Sequence, residues 1–185
     1  MKPLEKSPVF VCRAKGSLKR SVYTLLEAAS LAGAIKGQKQ VLIKPNLVGA
    51  HRPPITTPVV LVEAIAGYVI EKAPGAKVLV GDGTGSLEYD TWSCFDALGY
   101  LGLAGRPGVH LVDLNTEPLV RLEKKGLKRW DEFYMPGVVM DAYLISVPVL
   151  KAHTLADVTL TMKNMIGVAP PSHYQQGGHW RKSRP

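Results

Sequence analysis

Apolar positions along this chain follow two different rhythms, and the rhythms alternate in blocks. Short, mainly apolar runs occupy Val9–Cys12, Gln40–Ile43, Ala76–Val80, Val109–Leu114 and Tyr143–Val149. Runs of that length without strict polar alternation suit strands buried on both faces, as in a parallel sheet. Between them the spacing turns helical. Leu18, Val22, Leu25, Leu26, Ala29 and Ala32 recur behind Ser17, which predicts an N-capped helix, with Gly33 and Gly37 bracketing its end. A second helix is predicted from Thr57-Pro58, with Thr as cap and Pro in the first turn. Its inward side is read as Val59, Val60, Val62, Ala66, Val69 and Ile70, and Pro74-Gly75 stops it. A third runs from Tyr89 to Leu98 and ends at Gly99.

Strand, crossover helix and strand make a βαβ unit, which is right-handed. Leu119–Leu122 and Phe133–Met135 predict a peripheral antiparallel pair around the charged turn Glu123–Gly126, and a short helix is expected over Leu155–Met165. The fold class that follows is α/β: a mostly parallel open sheet with helices on both faces. It forms a single domain over residues 1–170, followed by an irregular basic tail at 171–185.

Composition narrows the function classes. Of 185 residues, 46% are hydrophobic and 21% charged, an ordinary globular balance that needs no disorder. No apolar run approaches the ~20 residues that span a bilayer. The start Met1–Lys6 lacks the apolar stretch of a signal peptide. The expectation is a cytoplasmic protein without a membrane partner. Cys12 and Cys94, expected on a strand and a helix, are too few for a disulfide framework or an iron–sulfur cluster and are read as buried free thiols. The net charge of +8 is carried by the two ends, while residues 41–150 are slightly acidic. Lys15, Lys19, Arg20, Lys36 and Lys39 flank a helix like a solvated face. Without a basic stripe interleaved with aromatics, and with only the short tail Trp180–Arg184 to touch phosphate, nucleic acid is not expected as a partner.

Three polar clusters stand where strands run out: Lys44-Pro45-Asn46, Gly81-Asp82-Gly83-Thr84-Gly85 and Lys151-Ala152-His153-Thr154. Carboxyl ends of parallel strands open onto one edge, where ligands of such sheets bind. Pro45 holds Lys44 extended and fixes the direction of Lys44 and Asn46, a point charge beside a donor and acceptor. Thr56 and Thr57 open a helix whose free N–H groups favour anions. The glycine loop is neither G-x-G-x-x-G nor a Walker loop, which rejects a standard dinucleotide or P-loop assignment. Lys151 and His153 project to one side of a continuing strand, and Thr159 and Lys163 to one face of a following helix. His173 and His179 lack metal-motif spacing, so no metal ligand is assigned. Each cluster also has an ordinary reading, as strand exit, helix cap or turn.

In this order the clusters, with Val147–His153 and Met162-Lys163-Asn164-Met165-Ile166-Gly167, resemble the domain-of-unknown-function family numbered 362, whose members read "KPNL", "TT-P", "VGDS", "PKLKTH" and "KNLFG". The resemblance spans residues 40–170 and implies candidate site residues Lys44, Asn46, Asp82, Lys151, His153, Lys163 and Asn164. Many members carry a ferredoxin-like module with two [4Fe–4S] clusters. The sequence departs from the pattern at Asp-Gly-Thr-Gly and at Val149. Members also continue past "KNLFG", so the resemblance implies that the C-terminal part of the family domain is missing.

The expected function is binding of a small anionic ligand or metal-bound cofactor at the sheet's carboxyl edge. Lys44, Asn46, Thr56, Thr57, Lys163 and Asn164 would bind it, and His153, Asp82 and Lys151 would carry any catalysis. The cofactor, and whether the domain is an enzyme, stay open. The alternative is a non-catalytic domain docking a separate iron–sulfur protein, with homo-oligomerisation also open.

Overall fold

A computed structural model of the chain describes residues 8–14, 16–123, 125–126, 132–154 and 156–174. In chain order, α1 (Leu18–Ala28) and α2 (Leu31–Ile35) precede β1 (Gln40–Lys44), and α3 (Val59–Lys72) leads to β2 (Lys77–Asp82). Next, α4 (Thr91–Ala97) and a 3₁₀ turn (Tyr100–Gly105) lead to β3 (Val109–Asp113). The hairpin β4 (Leu119–Glu123) and β5 (Glu132–Pro136), then α5 (Gly137–Met140), lead to β6 (Tyr143–Ser146). A second hairpin, β7 (Lys151–His153) and β8 (Asp157–Thr159), is followed by α6 (Thr161–Asn164), a 3₁₀ turn (Met165–Val168) and α7 (Pro171–Tyr174).

Strands β3-β2-β1-β6 form one parallel sheet, with Val41 opposite both Val78 and Tyr143. Successive side chains of a strand point to opposite faces, and the core divides accordingly. Val41, Ile43, Val78 and Val80 join the larger core with Val22, Ile35, Val62, Ile65, Val69 and Phe95. Leu42 and Leu79 point the other way, into a smaller cluster with Leu114 and Val168, flanked by Val138 and Val139 of α5. Helices therefore cover both faces, but unequally. α1, α2 and α3 cover one, while the short α5 and the 3₁₀ turn after α6 cover the other.

Several expectations shift. Val9–Cys12 is not a strand. Val9 is 85% and Val11 89% exposed, because β2 and β6 already occupy both edges of β1 and the segment pairs with neither outer strand. Cys12 is accordingly exposed, whereas Cys94 is buried. α3 is apolar almost all round, so periodicity could not choose its face: Ala64, Ile65 and Tyr68 are buried, while Val60 and Ile70 are exposed. Tyr68 meets Tyr23 of α1 edge to face, with centroids 5.1 Å apart. The expected helix over Leu155–Met165 is a strand followed by one helical turn. Val158 and Thr159 pair across to β7, Asp157 takes φ 56° at the start of β8, and helix begins only at Thr161. Leu155 lies outside the described residues, as does the chain from residue 175 with its basic tail. The antiparallel pair around the charged turn is present, with Leu119 opposite Pro136. No helix among the described residues is long and apolar enough to cross a membrane.

Candidate functional site

The order β3-β2-β1-β6 contains one reversal. From β1 the chain adds β2 and β3 on one side, then returns to place β6 on the other. In such sheets the ligand crevice opens at the carboxyl ends flanking the reversal, here between β1 and β6. Lys44 and Ser146 are register partners at that point. Asn164, carried in by α6, spans both strands. Its Nδ2 donates to Lys44 O at 3.2 Å and Ser146 Oγ at 3.0 Å, and its Oδ1 accepts from Lys44 Nζ at 3.3 Å.

Lys44 is fully buried and forms an ion pair with Asp82 at the end of the neighbouring strand β2. Burying two charges costs several kcal/mol each, repaid only when every remaining donor and lone pair is used. Here all three ammonium protons find acceptors, and three donors reach the carboxylate. Lys44 Nζ also donates to Pro45 O at 3.2 Å, while Asp82 accepts from the Leu47 N–H at 2.6 Å and the Gly83 N–H at 2.8 Å. Gly167 lies directly over the pair. A Cβ there would fall 2.6 Å from Lys44 Nζ, 2.9 Å from Lys44 Cε, and against Asp82 Oδ1, so only glycine fits. Gly81 is confined less severely, with its Cβ position 3.1 Å from Val112 O and 3.2 Å from Leu42 Cδ1.

A second tier ties the loops together. Thr57 does not cap α3, which begins at Val59 after Pro58 without a side-chain cap. Its hydroxyl instead accepts from Asn46 N at 2.9 Å and donates to Val147 O at 2.8 Å, clamping the exits of β1 and β6. Tyr100 fixes the same residue, its hydroxyl donating to Thr57 O at 2.7 Å. Thr56 is buried and donates to His51 O.

Above this tier lie the accessible cations. Lys151 Nζ donates to Asn46 Oδ1 at 2.9 Å and Ile55 O at 2.5 Å. Burial pushes its pKa below the ordinary value, and the nearby charge of Lys163 pushes it further. Lys163 is also pushed down by burial. The expectation that Thr159 shares a helical face with Lys163 is not met. Thr159 sits on β8 opposite Lys151, buried, with its hydroxyl unpartnered. His153 is half-buried two residues beyond Lys151, its Nδ1 accepting from Ala156 N at 3.2 Å.

The structure thus brings Lys44, Asp82 and Asn164 together; Asn46, two residues beyond Lys44, accepts from Lys151, which in turn feels the charge of Lys163. No hydrogen bond or ion pair joins His153 to Asp82 among the described residues. Sequence reasoning missed Ser146, Tyr100 and the seat of Gly167. Ser146 is the polar interruption of an apolar run, and Gly167 closes the last motif, so both had a visible signal; Tyr100 had none. Asn115 Nδ2 donates to Thr84 O at 3.1 Å, fastening the exit of β3 to the glycine loop, where residues 84–90 line an open hollow of about 270 Å³. Among the described residues no three His, Cys, Asp or Glu gather as a metal site needs.

The chain is 32% identical over 167 residues to the Thylakoid-associated protein sll1697 of Synechocystis sp., covering 84% of this chain and 47% of that protein. The chain therefore spans about half the length of the curated relative it matches. No solved structure matches it. Residues 41–184, which hold the strand-end residues described above, match the family model described as Domain of unknown function (DUF362), and the chain belongs to that family.

Proposed function

We propose that the domain binds a small oxyanion, a carboxylate or phosphate, above the β1/β6 crevice, held by Lys151 and Lys163. The observation that carries this reading is a pair of neighbouring, half-buried ammonium groups on which no carboxylate acts among the described residues. Like charges that repel each other, partly desolvated and without a counter-ion among the described residues, cost stability unless a ligand supplies one. Asn46 adds a donor: its Oδ1 is taken by Lys151, and its Nδ2 has no acceptor among the described residues. Lys44 and Asp82 contribute differently. Their charges cancel inside the protein, and the pair sets the loops that carry Asn46 and Asn164. Thr56 and Thr57 brace the same loops.

Calorimetric titration with inorganic phosphate and with oxalate tests the reading. Wild-type protein is expected to bind at least one of them, more weakly as salt rises, and Lys163→Met to lose at least tenfold in affinity. The ligand-free Lys163→Met protein should melt at a higher temperature, because an uncompensated charge is gone. A lower melting temperature with unchanged anion binding would overturn the proposal.

A further inference from the structure

Lys151 offers chemistry beyond its charge. Its nitrogen donates to two neutral acceptors, Asn46 Oδ1 at 2.9 Å and Ile55 O at 2.5 Å. An ammonium group has three N–H donors, and among the described residues the third meets no acceptor. A neutral amine has two N–H bonds and one lone pair. The two fixed acceptors satisfy it fully and leave the lone pair along the remaining tetrahedral direction. The same contacts that leave the ammonium short of one partner hold the free amine in an oriented, nucleophilic form.

We infer that Lys151 is a nucleophile that condenses with the carbonyl group of a small oxo acid, whose carboxylate is held by Lys163. This rests on the anion-binding reading of the same site and names its ligand class. The pattern is that of a lysine activated by partial burial beside a second cation. Repulsion between the two is mutual, and burial lowers both. What distinguishes Lys151 is geometry: its nitrogen is fixed by two neutral acceptors, an arrangement Lys163 lacks among the described residues, so the free amine is assigned to Lys151 and the cation to Lys163. Asn46 serves as a positioning residue, held by Thr57 through its backbone N–H.

The step balances without a redox partner. The amine lone pair attacks the carbonyl carbon and a C–N bond forms. The nitrogen gives up its two protons, two protons pass to the former carbonyl oxygen, and the C–O bond breaks to release water, leaving an imine on Lys151. Hydrolysis reverses it. A carboxylate beside the carbonyl distinguishes the ligand from a simple ketone, because only the acid engages Lys163.

The test uses the full chain with pyruvate as probe and sodium borohydride as trap, read by intact mass and peptide mapping. A single adduct mapping to Lys151, formed at least tenfold faster than at other lysines, is the expected result. Acetone, which has the ketone but no carboxylate, should label it at least tenfold more slowly than pyruvate. Lys151→Arg keeps the charge but cannot form the imine, and should give no adduct while circular dichroism shows it folded. Oxalate titration of the wild-type protein separates the two levels of the argument. If oxalate binds but pyruvate leaves no adduct on Lys151, the nucleophile is overturned and the anion site stands. If the adduct forms equally with acetone and oxalate does not bind, the anion site falls, and with it the role given to Lys163. Adducts spread evenly over the lysines would also overturn the inference.

Discussion

Replacing Lys44 with Met removes one charge from a buried pair and keeps most of the side chain's volume. Lys44 is 0% exposed, and the Asp82 side chain is 4% exposed. The substitution leaves the Asp82 carboxylate sealed with only the Leu47 and Gly83 N–H groups, at 2.6 and 2.8 Å. It also takes the Nζ donor from Asn164 Oδ1 and Pro45 O. Breaking a buried pair on one side costs about 3–5 kcal/mol, most of it the penalty of the orphaned charge. For a chain of this length that corresponds to a fall in melting temperature of roughly 6–20 °C. Asp82→Asn orphans the ammonium instead and should cost a similar amount. The decisive measurement is the double variant, followed by urea unfolding and circular dichroism. With both charges gone, its loss should fall short of the sum of the singles by about 2 kcal/mol or more, since residues in contact do not add. Strict additivity, or a Lys44→Met protein within about 1 kcal/mol of wild type, would refute the account of the pair as a satisfied, closed unit.

Three further outcomes follow from the same geometry. Gly167→Ala drives a Cβ into Lys44 and Asp82 and should destabilise by about 1–3 kcal/mol or more, whereas Gly102→Ala, with open space around its Cβ position, should not; equal melting temperatures for the two would dismiss the close approach. Tyr100→Phe leaves Thr57 O without its donor in a buried setting and should cost about 1–3 kcal/mol in chemical denaturation. Lys151 and Lys163 have folded-state pKa values below their ordinary 10.5, so the native protein holds fewer protons than the unfolded chain between those lowered values and 10.5. Their penalty is therefore full below those lowered values and fades as pH rises from them toward 10.5. The melting-temperature advantage of Lys163→Met should shrink over that window; an advantage that grows with pH would contradict the sign.

Much of the framework was legible in the chain because short apolar runs bounded by Gly, Pro and charge leave few alternatives to strands. That holds for β1, β2, β3 and β6, and for the hairpin β4–β5 around its charged turn. It failed where local pattern and tertiary context compete. Val9–Cys12 has the composition of a strand but no partner strand. α3 has too many apolar positions to reveal which side faces the sheet. The stretch after His153 carries a spacing compatible with helix, yet Val158 and Thr159 pair across to β7. Thr57-Pro58 looks like a cap, and its hydroxyl has a stronger use between Asn46 and Val147.

By itself the sequence determined that polar residues follow buried strands, and therefore that Lys44, Asp82 and Lys151 stand at strand ends or just beyond them. It did not determine which of them remain charged toward solvent. Lys44 and Lys151 look alike in the chain, each a lysine at the end of an apolar run near a proline. Only the lateral order of strands separates them. β2 lies beside β1, so Asp82 reaches Lys44 and cancels it; β6 lies on the other side, so Lys151 meets a neutral asparagine and a second lysine. Charge compensation depends on distances of a few ångströms across neighbouring strands, and that lateral order is a property of the folded sheet.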